Sequence, residues 1–93
     1  MTDADILGFL TVMGREFCAA LRSEAGILDA SGHDCYSATV AALGKPVGPD
    51  ELRSLQPEQL VQIADAFNAY FETTSVKPAH IANAVSATLR QWS

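Results

Sequence analysis

The sequence predicts an all-α protein, a compact single-domain bundle of four main helices plus one short helix over residues 1–93. Three observations carry this. Apolar residues recur at i, i+3, i+4 spacing in the long stretches. Helix-start residues stand where these stretches begin, with Thr2 and Ser31 as caps and Pro49, Pro57 and Pro78 as first-turn residues. No alternating run rich in Val, Ile and Thr suggests a strand.

The first helix is expected from Asp3 to Glu24. Thr2 is placed to cap it, with Asp5 at the third helical position in a near capping-box arrangement, and Gly26 stops it. Ile6, Leu7, Phe9, Leu10, Met13, Gly14, Phe17, Cys18, Ala20 and Leu21 fall on one continuous face of roughly 180°, broad for a surface helix. This makes it the candidate central helix. The second helix is expected over Gly32–Leu43, capped by Ser31 and ended by Gly44. Its Cys35, Ala38 and Ala42 form a small-residue face. Small residues let helix axes approach, so this face should dock on the Gly14/Cys18 side of the first helix.

Gly44-Lys45-Pro46-Val47-Gly48-Pro49 reads as a stiff connector into a short helix over residues 49–55. Pro57 opens the next helix, where Leu60, Ile63, Ala64, Phe67, Tyr70 and Phe71 repeat at helical spacing. Residues 73–77 break the pattern. Pro78 opens the last helix, with Ile81, Ala82, Val85, Leu89 and Trp92 on its apolar side.

Composition narrows the function. The chain carries eleven acids and six bases, a formal net charge of −5. Its Lys and Arg residues are scattered, which disfavours gripping a nucleic-acid backbone or an anionic membrane surface. No apolar run is long enough to span a bilayer. Met1 leads into Thr2-Asp3-Ala4-Asp5, acidic where a signal peptide is basic, so the expected location is cytoplasmic. The two cysteines then read as free thiols.

Motifs that would carry chemistry fail on their own requirements. Asp29-Ala30-Ser31-Gly32-His33-Asp34 begins like a calcium loop, but Asp34 stands at the sixth position, where an EF-hand needs Gly, and Val40 at the twelfth, where it needs an acid. Cys18, His33, Cys35 and His80 lack the paired spacing of a structural zinc site. Cys35 with His33 or His80 lacks an oxyanion-hole motif or phosphate loop beside it, and a thiol on a small apolar face is inert. A helix-turn-helix over residues 36–55 would place the acidic Pro49-Asp50-Glu51 against phosphates. Gly32-His33-Asp34-Cys35-Tyr36 resembles the attachment segment of acyl carrier proteins, but Cys35 stands where that family carries its serine, so a carrier role is rejected.

Ser54-Leu55-Gln56-Pro57-Glu58-Gln59-Leu60, followed by Ala66-Phe67-Asn68-Ala69-Tyr70-Phe71, is similar to stretches in small bacteriophage tail-assembly chaperones, over less than a fifth of the chain. The resemblance implies a helical assembly protein of phage or prophage origin. It transfers no functional residue.

With no site of chemistry visible, the expectation is a non-enzymatic module, without cofactor, catalytic residue or metal, that binds another protein or a second copy of itself. Adaptor, assembly chaperone and inhibitor of a larger machine all fit. The competing class is a small-molecule or lipid binder with Phe17, Phe67, Phe71 and Trp92 as pocket walls. The predicted partner-binding patch is Phe9, Val12, Glu16 and Tyr70. Val12 lies outside the buried arc of the first helix, Phe9 at its edge and Glu16 one turn on, while Tyr70 edges the apolar face of its own helix.

Overall fold

Capping chemistry fixes where the helices begin. The computed structural model describes residues 2–92, and α1 spans Asp3–Glu24, α2 Gly32–Leu43, α3 Pro49–Arg53, α4 Pro57–Tyr70 and α5 Pro78–Trp92. Thr2 and Asp5 form a complete capping box: the Asp5 amide donates to Thr2 Oγ1 at 3.2 Å and the Thr2 amide to Asp5 Oδ2 at 3.1 Å. At α4 only half of this arrangement forms: the Gln56 amide donates to Gln59 Oε1 at 2.8 Å, and the Gln59 amide donates to the Gln56 backbone carbonyl at 2.9 Å. Ser31 Oγ accepts the Asp34 amide at 3.1 Å to cap α2. At the C-terminus of α1, the amides of Ala25 and Ile27 both reach the Leu21 carbonyl, with Gly26 between them at φ +73°. The short helix ends at Arg53, two residues earlier than its sequence suggests, where Ser54 turns back to bond the Asp50 and Glu51 carbonyls.

The four long helices close a ring. α1 packs on α5 and α2, α4 packs on α2 and α5, and α3 leans against α5. The radius of gyration, 11.9 Å, matches the ~12 Å of one packed domain of this length. Across the ring, Phe17 of α1 meets Phe67 of α4 with ring centroids 6.0 Å apart, and Phe67 meets Phe71 edge-on at 6.1 Å. Met13, Ile63 and Ile81 fill the remaining centre and are fully shielded. The two buried hydroxyls, Thr39 and Thr88, each donate at 2.8 Å to the carbonyl four residues earlier, so neither is left unpaired.

α1 and α2 touch through bare backbone. A Cβ built on Gly14 would lie 2.6 Å from the Gly32 Cα, so nothing larger than hydrogen fits there. One turn along, Cys18 and Cys35 meet with their sulfurs 3.6 Å apart, and Ala38 is buried beside them. The small faces of the two helices dock as their sequences predict.

Two loops are tied by side chains. Asn68 makes a pair of hydrogen bonds to Val76, Nδ2 donating to its carbonyl and Oδ1 accepting its amide, both at 2.9 Å, which closes the α4–α5 turn. Tyr36 does the same for the connector: its hydroxyl donates to the Val47 carbonyl and accepts the Val47 amide, both at 3.2 Å.

The apolar arc of α1 is not buried along its whole length. Ile6 and Leu7, which the helical periodicity places on the core face, are 43% and 66% exposed. The α2 residues on this side, Gly32, His33 and Tyr36, line clefts beside them without covering them.

Gly14→Ala tests the helix crossing. On an exposed helix this change gains up to ~1 kcal/mol; here the methyl meets backbone, so a net loss of about 1–3 kcal/mol is expected as a lower denaturant midpoint. Phe67→Ala, which empties the centre of the ring, should lose ~3–5 kcal/mol. A raised midpoint for Gly14→Ala would place the two backbones further apart than described.

Candidate partner-binding groove

The four residues of the expected patch do not form one surface. Phe9 is 1% exposed. The indole of Trp92, at the C-terminal end of α5, lies edge-on to its ring at 5.7 Å and covers Gly8 as well. Phe9 is therefore a core residue and is withdrawn from the exposed patch. Periodicity within α1 placed it at the arc's edge, but the width of the arc is set by α5. Val12 is half-buried. Glu16 sits in a cleft between α1 and α5, its carboxylate 3.6 Å from Arg15. Tyr70 is half-exposed, as expected, but its hydroxyl is engaged: it donates to Asp34 Oδ1 at 2.5 Å, tying the end of α4 to the start of α2.

The aromatics considered as pocket walls pack on one another or on their neighbours. Phe17 and Phe67 are fully buried in mutual contact, and Trp92 is spent on Phe9. The potential metal donors also disperse. His33 is exposed, Cys35 fully buried, and His80 accepts the Lys77 amide through Nδ1 at 3.2 Å, finishing the start of α5. Among the described residues, no group of three or more His, Cys, Asp or Glu converges on a point. Burial, and then the neighbouring Cys18, push the Cys35 thiol well above the usual thiol range, so it stays protonated at neutral pH.

What the structure assembles instead is an apolar groove around Tyr36. On one side of its ring, Leu7, Leu10 and Thr11 of α1 face Gly32 and His33 of α2 across a cleft of about 400 Å³. On the other side, Ile6 faces Pro46, Val47 and Pro49 of the connector across about 290 Å³, with Asp50 and Glu51 at the far end. Tyr36 belongs to both clefts, and its two hydrogen bonds to Val47 hold the ring and the connector in register. The prolines stiffen one wall and the helix the other. Leu7 and Ile6 are thus large side chains held out over a preformed hollow, which distinguishes them from scattered surface leucines.

The charge around this groove is one-sided. Asp3 precedes Ile6 by three positions and Leu7 by four, on the same flank of α1. Asp50 and Glu51 close the other end. Glu51 Oε2 accepts the Gly48 amide at 2.8 Å, and Asp50 pairs with Arg53 at 3.0 Å while remaining largely in solvent. No Lys or Arg lines either cleft.

A larger cleft, about 620 Å³, runs between α1 and α5, but its walls are Ala19, Ala20 and Ala87 with Glu16, Glu24 and Arg90 at the rim. Asn83 Nδ2 donates to Glu24 Oε1 across it at 3.0 Å. Its floor of methyl groups and its mixed charges give a ligand little to bury, so size alone does not make it the better site.

Nothing in the sequence pattern singled out Ile6 or Leu7 as exposed, because both match the core period. Tyr36 carried a weaker signal: a tyrosine flanking an apolar helix face needs a partner for its hydroxyl when covered.

The Tyr70–Asp34 bond has a definite pH window. The Tyr70 hydroxyl, then the Ser31 cap, hold the Asp34 carboxyl below its ordinary range, and Asp34 pushes the Tyr70 phenol above its own. The stabilisation is therefore present above the ordinary carboxylate range and lost as pH falls through the depressed Asp34 value. At the alkaline end, it is lost as pH rises through the raised Tyr70 value. Tyr70→Phe should lower the melting temperature between these limits, converge with the parent beyond either, and move the Asp34 carboxyl titration upward by NMR. An unmoved Asp34 titration would place its partner elsewhere.

No protein-family model, curated protein or solved structure matches the chain.

Proposed function

We propose that this chain is a non-enzymatic protein-binding module of the cytoplasm that receives an apolar segment of another protein in the groove around Tyr36. The observation that carries this reading is Leu7, 66% exposed beside an apolar hollow walled on the other side by Gly32, His33 and Tyr36, with Ile6 likewise exposed across from Tyr36 and the prolines. A rigid aromatic beside exposed aliphatic groups is the chemistry of a binding hot spot, and a preformed wall spares the ordering cost of association. The occupant's chemistry follows from charge. Asp50 and Glu51 close one end of the groove on a chain of net charge −5, so an apolar segment flanked by Lys or Arg is attracted and an acid-flanked one repelled. Adaptor and assembly-chaperone roles both use such a surface. The resemblance of residues 54–60 and 66–71 to phage tail-assembly chaperones favours the second.

The test uses two synthetic amphipathic helical peptides with the same leucine face, one flanked by lysines and one by glutamates. Amide shift mapping should place the lysine peptide at Ile6, Leu7 and Tyr36, with affinity falling as salt rises. Leu7→Asp, a surface change expected to alter stability by no more than about 0.5 kcal/mol, should weaken it at least tenfold, roughly 1.4 kcal/mol. Shifts elsewhere, or unchanged binding to the variant, would remove the groove from the reading. Equal binding of the glutamate peptide would remove the charge argument alone. A dimer of the parent, dissolved by Leu7→Asp, would make a second copy the occupant.

A further inference from the structure

The crossing of α1 and α2 brings two thiols together that no other feature of the molecule uses. Cys18 and Cys35 hold their sulfurs 3.6 Å apart, in van der Waals contact, and both are free. A disulfide needs about 2.05 Å between sulfurs and closely spaced backbones. The second condition is met by the fold: Gly14 and Gly32, four and three residues before the two cysteines, are in direct backbone contact. We propose that Cys18 and Cys35 are an oxidisable dithiol, a modification site at which a hydroperoxide drives an intramolecular disulfide that joins α1 to α2.

The two sulfurs are not equivalent. Cys18 retains 7% exposure and Cys35 none, so the oxidant meets Cys18. Its thiolate attacks one oxygen of hydrogen peroxide; the O–O bond breaks, hydroxide leaves and takes up a proton as water, and Cys18 becomes a sulfenic acid. Cys35 then attacks the Cys18 sulfur. The S–S bond forms, the S–OH bond breaks, and the hydroxyl leaves with the Cys35 proton as a second water. Two thiols and one peroxide give one disulfide and two waters. The two sulfurs supply the two electrons that reduce the peroxide. Burial keeps Cys35 from reacting with solvent oxidants itself, while its contact with Cys18 makes the second step intramolecular. The product closes a loop over the α1–α2 turn, which removes freedom from the unfolded chain. This inference is independent of the groove and stands whatever binds there.

The experiment treats the reduced protein with hydrogen peroxide, then reads intact mass in denaturant after thiol alkylation, and melting temperature. The expected product is monomeric, has lost the mass of two hydrogens, offers no thiol to the alkylating agent, and melts higher by on the order of 10 °C. Cys35→Ala should stop at Cys18 sulfenic acid, trapped by a 1,3-diketone probe. Retention of both thiols, a stable oxygen adduct on the parent, a disulfide between two chains, or an intramolecular disulfide that lowers the melting temperature would each overturn the proposal. The parent protein alone decides this, even if the variant does not fold.

Discussion

The contact between Gly14 and Gly32 is the constraint on which the rest of the arrangement depends. Helices with ordinary side chains pack about 8–10 Å apart. Here a methyl on either glycine would meet the other helix's backbone, so α1 and α2 cross at close range. That approach lets the short α2 reach both α1 and α4 while leaving the centre of the ring to Phe17, Phe67 and Met13. It also accounts for the burial of Cys18, Cys35 and Ala38, which are just large enough to fill the narrow space on one side of the crossing. Larger side chains there would force the helices apart, and the ring would no longer close on one core.

The groove lies beside this crossing, at the first turns of the same two helices. Gly32 turns its bare side to Gly14, while Gly32, His33 and Tyr36 line the cleft beside Leu7 and leave it exposed. Tyr36 partly fills the gap. Its ring stands between the helices, and its hydroxyl fixes Val47, so the connector becomes a second wall instead of a loose loop. The groove is thus built from the first turns of α1 and α2 and held in shape by the Tyr36–Val47 hydrogen bonds.

Helix boundaries were legible in the sequence because they are set by local chemistry. Thr2, Ser31, Pro57 and Pro78 act within one turn of themselves, and the glycines after α1 and α2 act through their own φ. The docking of the Cys35/Ala38 face on Gly14 and Cys18 was legible for a related reason: small residues at helical spacing mark a close approach. Exposure was not legible in the same way. Phe9 and Leu7 sit two residues apart on α1, both apolar and both in phase with the core. One is covered by Trp92 from the far end of the chain, and the other edges an open cleft. What decides between them is where other helices end, and periodicity within α1 carries no information about that. The paired hydrogen bonds of Tyr36 and Asn68 were hidden likewise, since each pair joins positions eight or more residues apart.

Polar closure, the thiol contact and the apolar groove all meet in the first turns of α2. At its start, Asp34 holds the third helical position, where a carboxylate suits the positive end of the helix. It passes one oxygen to Tyr70, so the α2–α4 edge is sealed by a charged hydrogen bond at the surface. One residue later the chain turns its thiol inward to Cys18, and the next places Tyr36 toward α1. Three consecutive residues therefore face three different neighbours: α4, the core of the crossing, and the groove. A helix of 100° per residue imposes that division. It means that the identity of each of the three can change its own surface with little effect on the others, provided Gly32 keeps the helix at its close distance.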